Sequence, residues 1–111
     1  MFSSDREVSP TSYSSLLATL LQLADARLSA TQKLVLIAAH RLLKHSDLTV
    51  TALADQVSRR SDVPYSTAKW NLHALKQMGL LKNGDLCSKG ENACLTSEAQ
   101  MLADYFERNQ Q

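Results

Sequence analysis

From Arg59 to Lys89 the chain gathers side chains suited to an anionic, hydrogen-bonding partner. They are Arg59, Arg60, Tyr65, Ser66, Thr67, Lys69, Trp70, His73, Lys76, Lys82 and Lys89. Cations attract such a partner from a distance, and hydroxyl, indole and imidazole groups donate to it at contact. The spacing says which of them act together. An α-helix advances 100° per residue, so with Ala68 at zero Leu72, Leu75 and Gly79 fall within about 40° of it. That narrow apolar stripe seats a helix on a core. Ser66, Trp70, His73 and Gln77 fall on the opposite side, flanked by Lys69 and Lys76. The chain's one tryptophan therefore points away from the core its own helix builds. It is either packed by something else or presented to a partner. This chemistry is recognition. The sequence holds no Gly-rich phosphate loop, no H-E-x-x-H and no nucleophile with a recognisable base nearby, so it does not read as an enzyme.

The ends of this helix, spanning about 64–78, are marked. Pro64 suits a first turn, where a missing N–H costs nothing. Asp62 lies close enough to favour the positive N-terminus, and Gly79 is a left-handed stop after which Leu80 can fold back. Ser66-Thr67-Ala68, then Leu72, Leu75 and Gly79-Leu80-Leu81, resemble the second helix of a winged helix-turn-helix regulator, whose usual pattern is S-T-V, two spaced leucines and G-L-I. The run Lys69-Trp70-Asn71-Leu72 resembles members of the MarR-like and ArsR-like classes. The resemblance covers roughly residues 30 to 108. One departure is that Ser66 lies 13 residues after Leu53, four more than the pattern has. Four residues make about one helical turn, so the preceding helix is expected to run one turn longer.

The elements that must carry this helix follow from composition and period. At 111 residues, 44% hydrophobic and 21% charged, the chain is one ordinary globular domain. Only 5% is aromatic, so the core is expected to be aliphatic. Alternating strand-like runs are nearly absent. The expected fold is mainly α, and the resemblance implies a winged helix-turn-helix with a small β-hairpin wing, to which this chain would add an extra N-terminal and a C-terminal helix. Residues 1–12 read as a flexible lead-in, and 13–111 as the winged-helix domain with flanking dimerisation helices. Tyr13 to Arg27 reads as an apolar helix. Ser29 and Gln32 form a capping box for a helix from Ala30 to about His45, apolar nearly all round and hence central. Asp47 to Val50 suits a short strand, after which Thr51 caps a helix from Ala52 to about Arg60. Leu80–Cys87 and Asn92–Leu95 are the expected wing strands. Lys89-Gly90-Glu91 is expected at the tip, with Asn83-Gly84 as a competing turn. A last helix runs from Thr96 or Ser97 to about Arg108.

Charge adds to the picture. Net charge is +1, but residues 59–90 hold six Lys or Arg against Asp62 and Asp85. The basic excess coincides with the expected binding unit, as a nucleic-acid footprint should, although a solvated surface would look the same. The resemblance implies sequence-specific binding of double-stranded DNA by a homodimeric transcription regulator. The recognition helix would lie in the major groove and read base edges through its N-terminal half, with Arg59, Arg60, Lys82 and Lys89 as phosphate candidates. The alternative is a winged-helix protein-interaction module in a larger assembly, with Trp70 docking a protein. Leu17, Leu21, Leu102 and Phe106 are the expected dimer contacts. Cys87 and Cys94 would face each other across the hairpin as a redox switch, as half a metal site or as plain packing, of which packing is the expectation. No metal or other cofactor is expected. No apolar run reaches the ~20 residues of a membrane helix, Asp5 and Glu7 argue against an export signal, and the expected compartment is the cytoplasm.

Overall fold

The computed structural model describes residues 10–83 and 91–109. In chain order the elements are α1 (Pro10–Arg27), α2 (Ala30–Leu43), α3 (Val50–Ser61), α4 (Tyr65–Gln77), β1 (Leu81–Lys82), β2 (Cys94–Leu95) and α5 (Ser97–Asn109). α2 packs against α3, α4 and α5, and α3 packs against α4. The two strands pair antiparallel, Leu81 opposite Leu95 and Lys82 opposite Cys94. This is a winged helix with an added helix before it and another after it.

α2 is the centre because its apolar residues cover more than one face. Val35, Leu36, Ile37 and Ala39 are all buried, joined by Leu53, Ala54 and Val57 of α3, Ala68, Leu72 and Leu75 of α4, and Ala99, Ala103 and Phe106 of α5. The Ser29 hydroxyl accepts from the Gln32 amide and the Gln32 side chain accepts from the Ser29 amide, both at 3.0 Å, which fixes the start of α2. At the α2–α5 joint Arg41 donates to Glu107 at 2.6 Å. Beside this pair His40 is buried, its Nδ1 without a hydrogen-bond partner among the described residues and 3.7 Å from Asp104 Oδ1. Burial, then Lys44, push the His40 pKa down, against opposing pulls from Asp104 and Glu107.

Several sequence boundaries move. α1 begins at Pro10 rather than Tyr13, since proline is at home in a first turn; residues 1–9 lie outside those described. The cap of α3 is Thr49, not Thr51: the Thr49 side chain accepts from the Ala52 amide at 3.2 Å. Val50 is then already helical, and the expected Asp47–Val50 strand shrinks to one bridge, Thr49 with Asn92. Thr96 Oγ1 accepts from the Ala99 amide at 3.1 Å and starts α5. Lys82, not Cys87, faces Cys94, so the expected cysteine pairing across the hairpin does not hold at Cys94. Cys87, Lys89 and Gly90 lie outside the described residues.

α1 is the outlying element. It meets α5, and Lys33 of α2 holds Asp25 in an ion pair. Leu28 is buried and Leu21 and Ala24 are half-buried, so this side faces the domain. Tyr13, Leu16, Leu20 and Leu23 stay exposed. They recur at helical spacing and form a second apolar stripe. Among the described residues no helix is long and apolar enough to cross a membrane.

Candidate nucleic-acid interface

The turn that sets α4 is made without glycine. α3 ends at Asp62, which takes a left-handed conformation at φ 57° and ψ 38°. Aspartate tolerates that region better than most residues. Ser58 Oγ donates to the Val63 carbonyl at 2.6 Å and closes the turn. Asp62 is therefore the stop of α3. α4 then starts from Pro64, which has no side-chain cap bond of its own.

At the far end Gly79 stands at φ 83°. Among the described residues a Cβ there would meet nothing within 4 Å, so backbone conformation, not crowding, is what favours glycine. The Gly79 amide donates to the Lys76 carbonyl and the Leu80 amide to the Leu75 carbonyl, both at 3.0 Å. These satisfy carbonyls that the helix end would leave bare. The Thr96 amide donates to the Leu80 carbonyl at 3.1 Å, which ties the end of α4 to the start of α5.

Between those ends the helical phase read from sequence holds. Ala68, Leu72 and Leu75 are fully buried, and Trp70 is 70% exposed. Ser66, Lys69, His73, Lys76 and Gln77 are exposed with it, as are Arg59, Arg60 and Lys82; Thr67 is half-buried. Tyr65 is half-exposed at the start of the helix, with the Lys69 ammonium 6.0 Å from its ring centroid. Asn71 is buried and its amide donates to the Thr67 carbonyl at 2.8 Å, so it serves the helix itself. Gln77 Nε2 approaches His73 Nε2 at 3.4 Å along the outer face. Arg59 is held by Asp55 at 3.0 Å, an exposed pair that leaves other guanidinium donors available. No Asp or Glu occurs between Val63 and Gly84, so no carboxylate of that segment opposes an anion on α4.

One wall of this surface was missing from the sequence reading. Val50, at the start of α3, joins Tyr65, Ser66, Lys69, Trp70 and His73 around an open concavity of about 390 Å³. Read as a strand residue, Val50 gave no sign of this; the capping preference of Thr49 was the signal that could have found it. The expected dimer contacts divide. Leu17 is exposed, Leu21 and Leu102 are half-buried, and Phe106 is 1% exposed. Phe106 fills the core of its own chain, beneath the Lys33 ammonium at 5.4 Å, and is not free to meet a partner. Among the described residues no three His, Cys, Asp or Glu side chains come together as a metal site would need.

No family model matches the chain, and no curated protein matches it. Among solved structures, a MarR family protein of Mycobacterium tuberculosis is similar to it, with a TM-score of 0.53 and 17% identity, covering 92% of this chain and 74% of that one. A likeness at that identity is one of fold, and it matches the winged-helix arrangement described above.

Proposed function

We propose that this protein is a dimeric regulator that binds double-stranded DNA sequence-specifically, with α4 in the major groove. The observation that carries the reading is the outer face of α4: Trp70 is 70% exposed on a helix seated by three fully buried residues. The exposed part of the indole is apolar surface that a partner would take out of water, and the groove admits a helix. Tyr65, Ser66, Lys69 and His73 supply donors around it. Arg59, Arg60, Thr67, Lys69, Lys76, Lys82 and Lys89 are assigned to phosphates. The likeness to a MarR family protein supports a MarR-like regulator over an enzyme. The second subunit is assigned to the stripe of Tyr13, Leu16, Leu20 and Leu23 on α1, with Met101 of α5, all exposed. Two-fold dimers are the commonest assemblies, and a two-fold dimer places two α4 helices on a near-palindromic site.

Selection of bound duplexes from a random pool tests this, followed by titration of the winner against salt. With roughly 4–8 phosphates neutralised per dimer, affinity should fall about 10²- to 10⁴-fold from 50 to 200 mM salt. Affinity that stays flat across that range, or a pool that yields no enriched sequence, would instead favour α4 as a protein-docking face.

A further inference from the structure

The concavity on α4 has a composition that selects among base edges. Its wall is largely hydrocarbon, from Val50, Tyr65 and Trp70, while Lys69 brings a cation and none of its six lining residues is acidic. An apolar hollow beside a cation suits a partner that is anionic overall and offers a small apolar group. In the major groove guanine, adenine and cytosine present N–H groups or acceptor atoms there; only thymine adds a methyl group, at C5. Where a base edge meets the hydrocarbon of Val50, Tyr65 and Trp70, a polar group would lose its water without gaining a partner there, which is unfavourable; the donors of the hollow are Ser66, Lys69 and His73. A C5-methyl would lose only apolar contact with water, which is favourable.

We infer that Val50, Tyr65 and Trp70 receive the C5-methyl of a pyrimidine, so that α4 selects thymine at the base pair it covers. The inference rests on the DNA-binding reading above and adds the base identity to it. Trp70 and Val50 act as specificity determinants, and Lys69 holds the neighbouring phosphate. The same methyl occurs on 5-methylcytosine, and the test separates the two sources.

The duplex selected from the random pool is resynthesised with each thymine in turn replaced by deoxyuridine, which removes the methyl and nothing else. At one position per half-site the affinity should fall about fourfold, the effect of unburying one methyl-sized group. In Trp70→Ala, thymine and uracil at that position should bind alike; a thermal melt confirms that the variant is folded. A C·G pair there should bind more weakly than T·A, and 5-methylcytosine should regain about fourfold over cytosine. Methyl sensitivity at no position overturns the inference while leaving DNA binding in place. So does sensitivity that survives unchanged in both Trp70→Ala and Val50→Ala. Tight binding of 5-methylcytosine but not thymine assigns the hollow to methylated sites and overturns the thymine assignment. A protein that binds no duplex overturns this inference and the reading beneath it together.

Discussion

Trp70 and Leu72 are two residues apart on α4 yet should differ sharply when cut back to alanine. Leu72 is fully buried, and Leu→Ala in a packed core costs about 2–5 kcal/mol, including the cavity left behind. Trp70 is 70% exposed. A tryptophan offers up to roughly 250 Å², so no more than about 75 Å² is covered, worth about 2 kcal/mol at 25 cal/mol per Å². An extended-chain reference overstates that by roughly 10–40%, and alanine is the better helix former by roughly 0.5 kcal/mol. The net loss for Trp70→Ala is therefore about 1 kcal/mol or less. Urea unfolding followed by far-UV circular dichroism reads both, with the slope m checked for constancy. In thermal melts of the same variants Leu72→Ala should lower the melting temperature by at least about 8 °C, and Trp70→Ala by no more than about half of that. Equal losses would refute the helical phase of α4, because an indole that stabilises as much as Leu72 is buried in solution. Equal losses at high protein concentration only would place that burial at a subunit contact.

Asp62→Gly should stabilise the chain by up to about 1 kcal/mol, because glycine adopts positive φ without strain, and Asp62→Val should destabilise it by about 1–2 kcal/mol; a chemical melt in which valine is the more stable would contradict the left-handed turn. Leu20→Glu should convert two chains to one in light scattering while the helical spectrum persists, whereas Phe106→Ala should cost about 3–5 kcal/mol of folding stability. A wild-type monomer at micromolar concentration would remove the dimer assignment. Burial, with Lys44, depresses the pKa of His40 in the folded chain against Asp104 and Glu107. The unfolded chain thus takes up the proton first, and stability falls as pH drops below about 6.5 toward the folded value. The drop in melting temperature on acidification should be smaller in His40→Leu than in wild type; an identical drop would mean that other groups carry it.

Where one face of an element is buried and the other wet, the sequence was readable. α4 is the plainest case: the spacing of Ala68, Leu72 and Leu75 fixes which side is covered, and the pairs Ser29–Gln32 and Gly79–Leu80 mark ends through local hydrogen bonds. Where the chain must choose between two nearly equal local options it was not readable. Thr49 and Thr51 are both capable caps two residues apart, and the choice of Thr49 falls to its bridge with Asn92 across the domain. That choice turned Val50 from a strand residue into a wall of the α4 hollow. α1 posed a different difficulty. Its leucines surround the helix, so period alone could not separate Leu21, which faces the domain, from Leu20, which does not. Phe106 meets the same limit: an apolar residue on an outer helix reads alike whether it meets its own core or another chain.

The most direct measurement is the salt dependence of duplex binding for wild type, Lys69→Ala and Trp70→Ala on the selected site and on random DNA. Lys69→Ala should weaken both DNAs similarly and make the plot of log affinity against log salt shallower by about one unit per chain bound. Trp70→Ala, which removes no charge, should leave that slope intact and cost about 1–3 kcal/mol on the selected site with less on random DNA. Unchanged slope in Lys69→Ala together with unchanged preference in Trp70→Ala would contradict the placement of α4 in the groove.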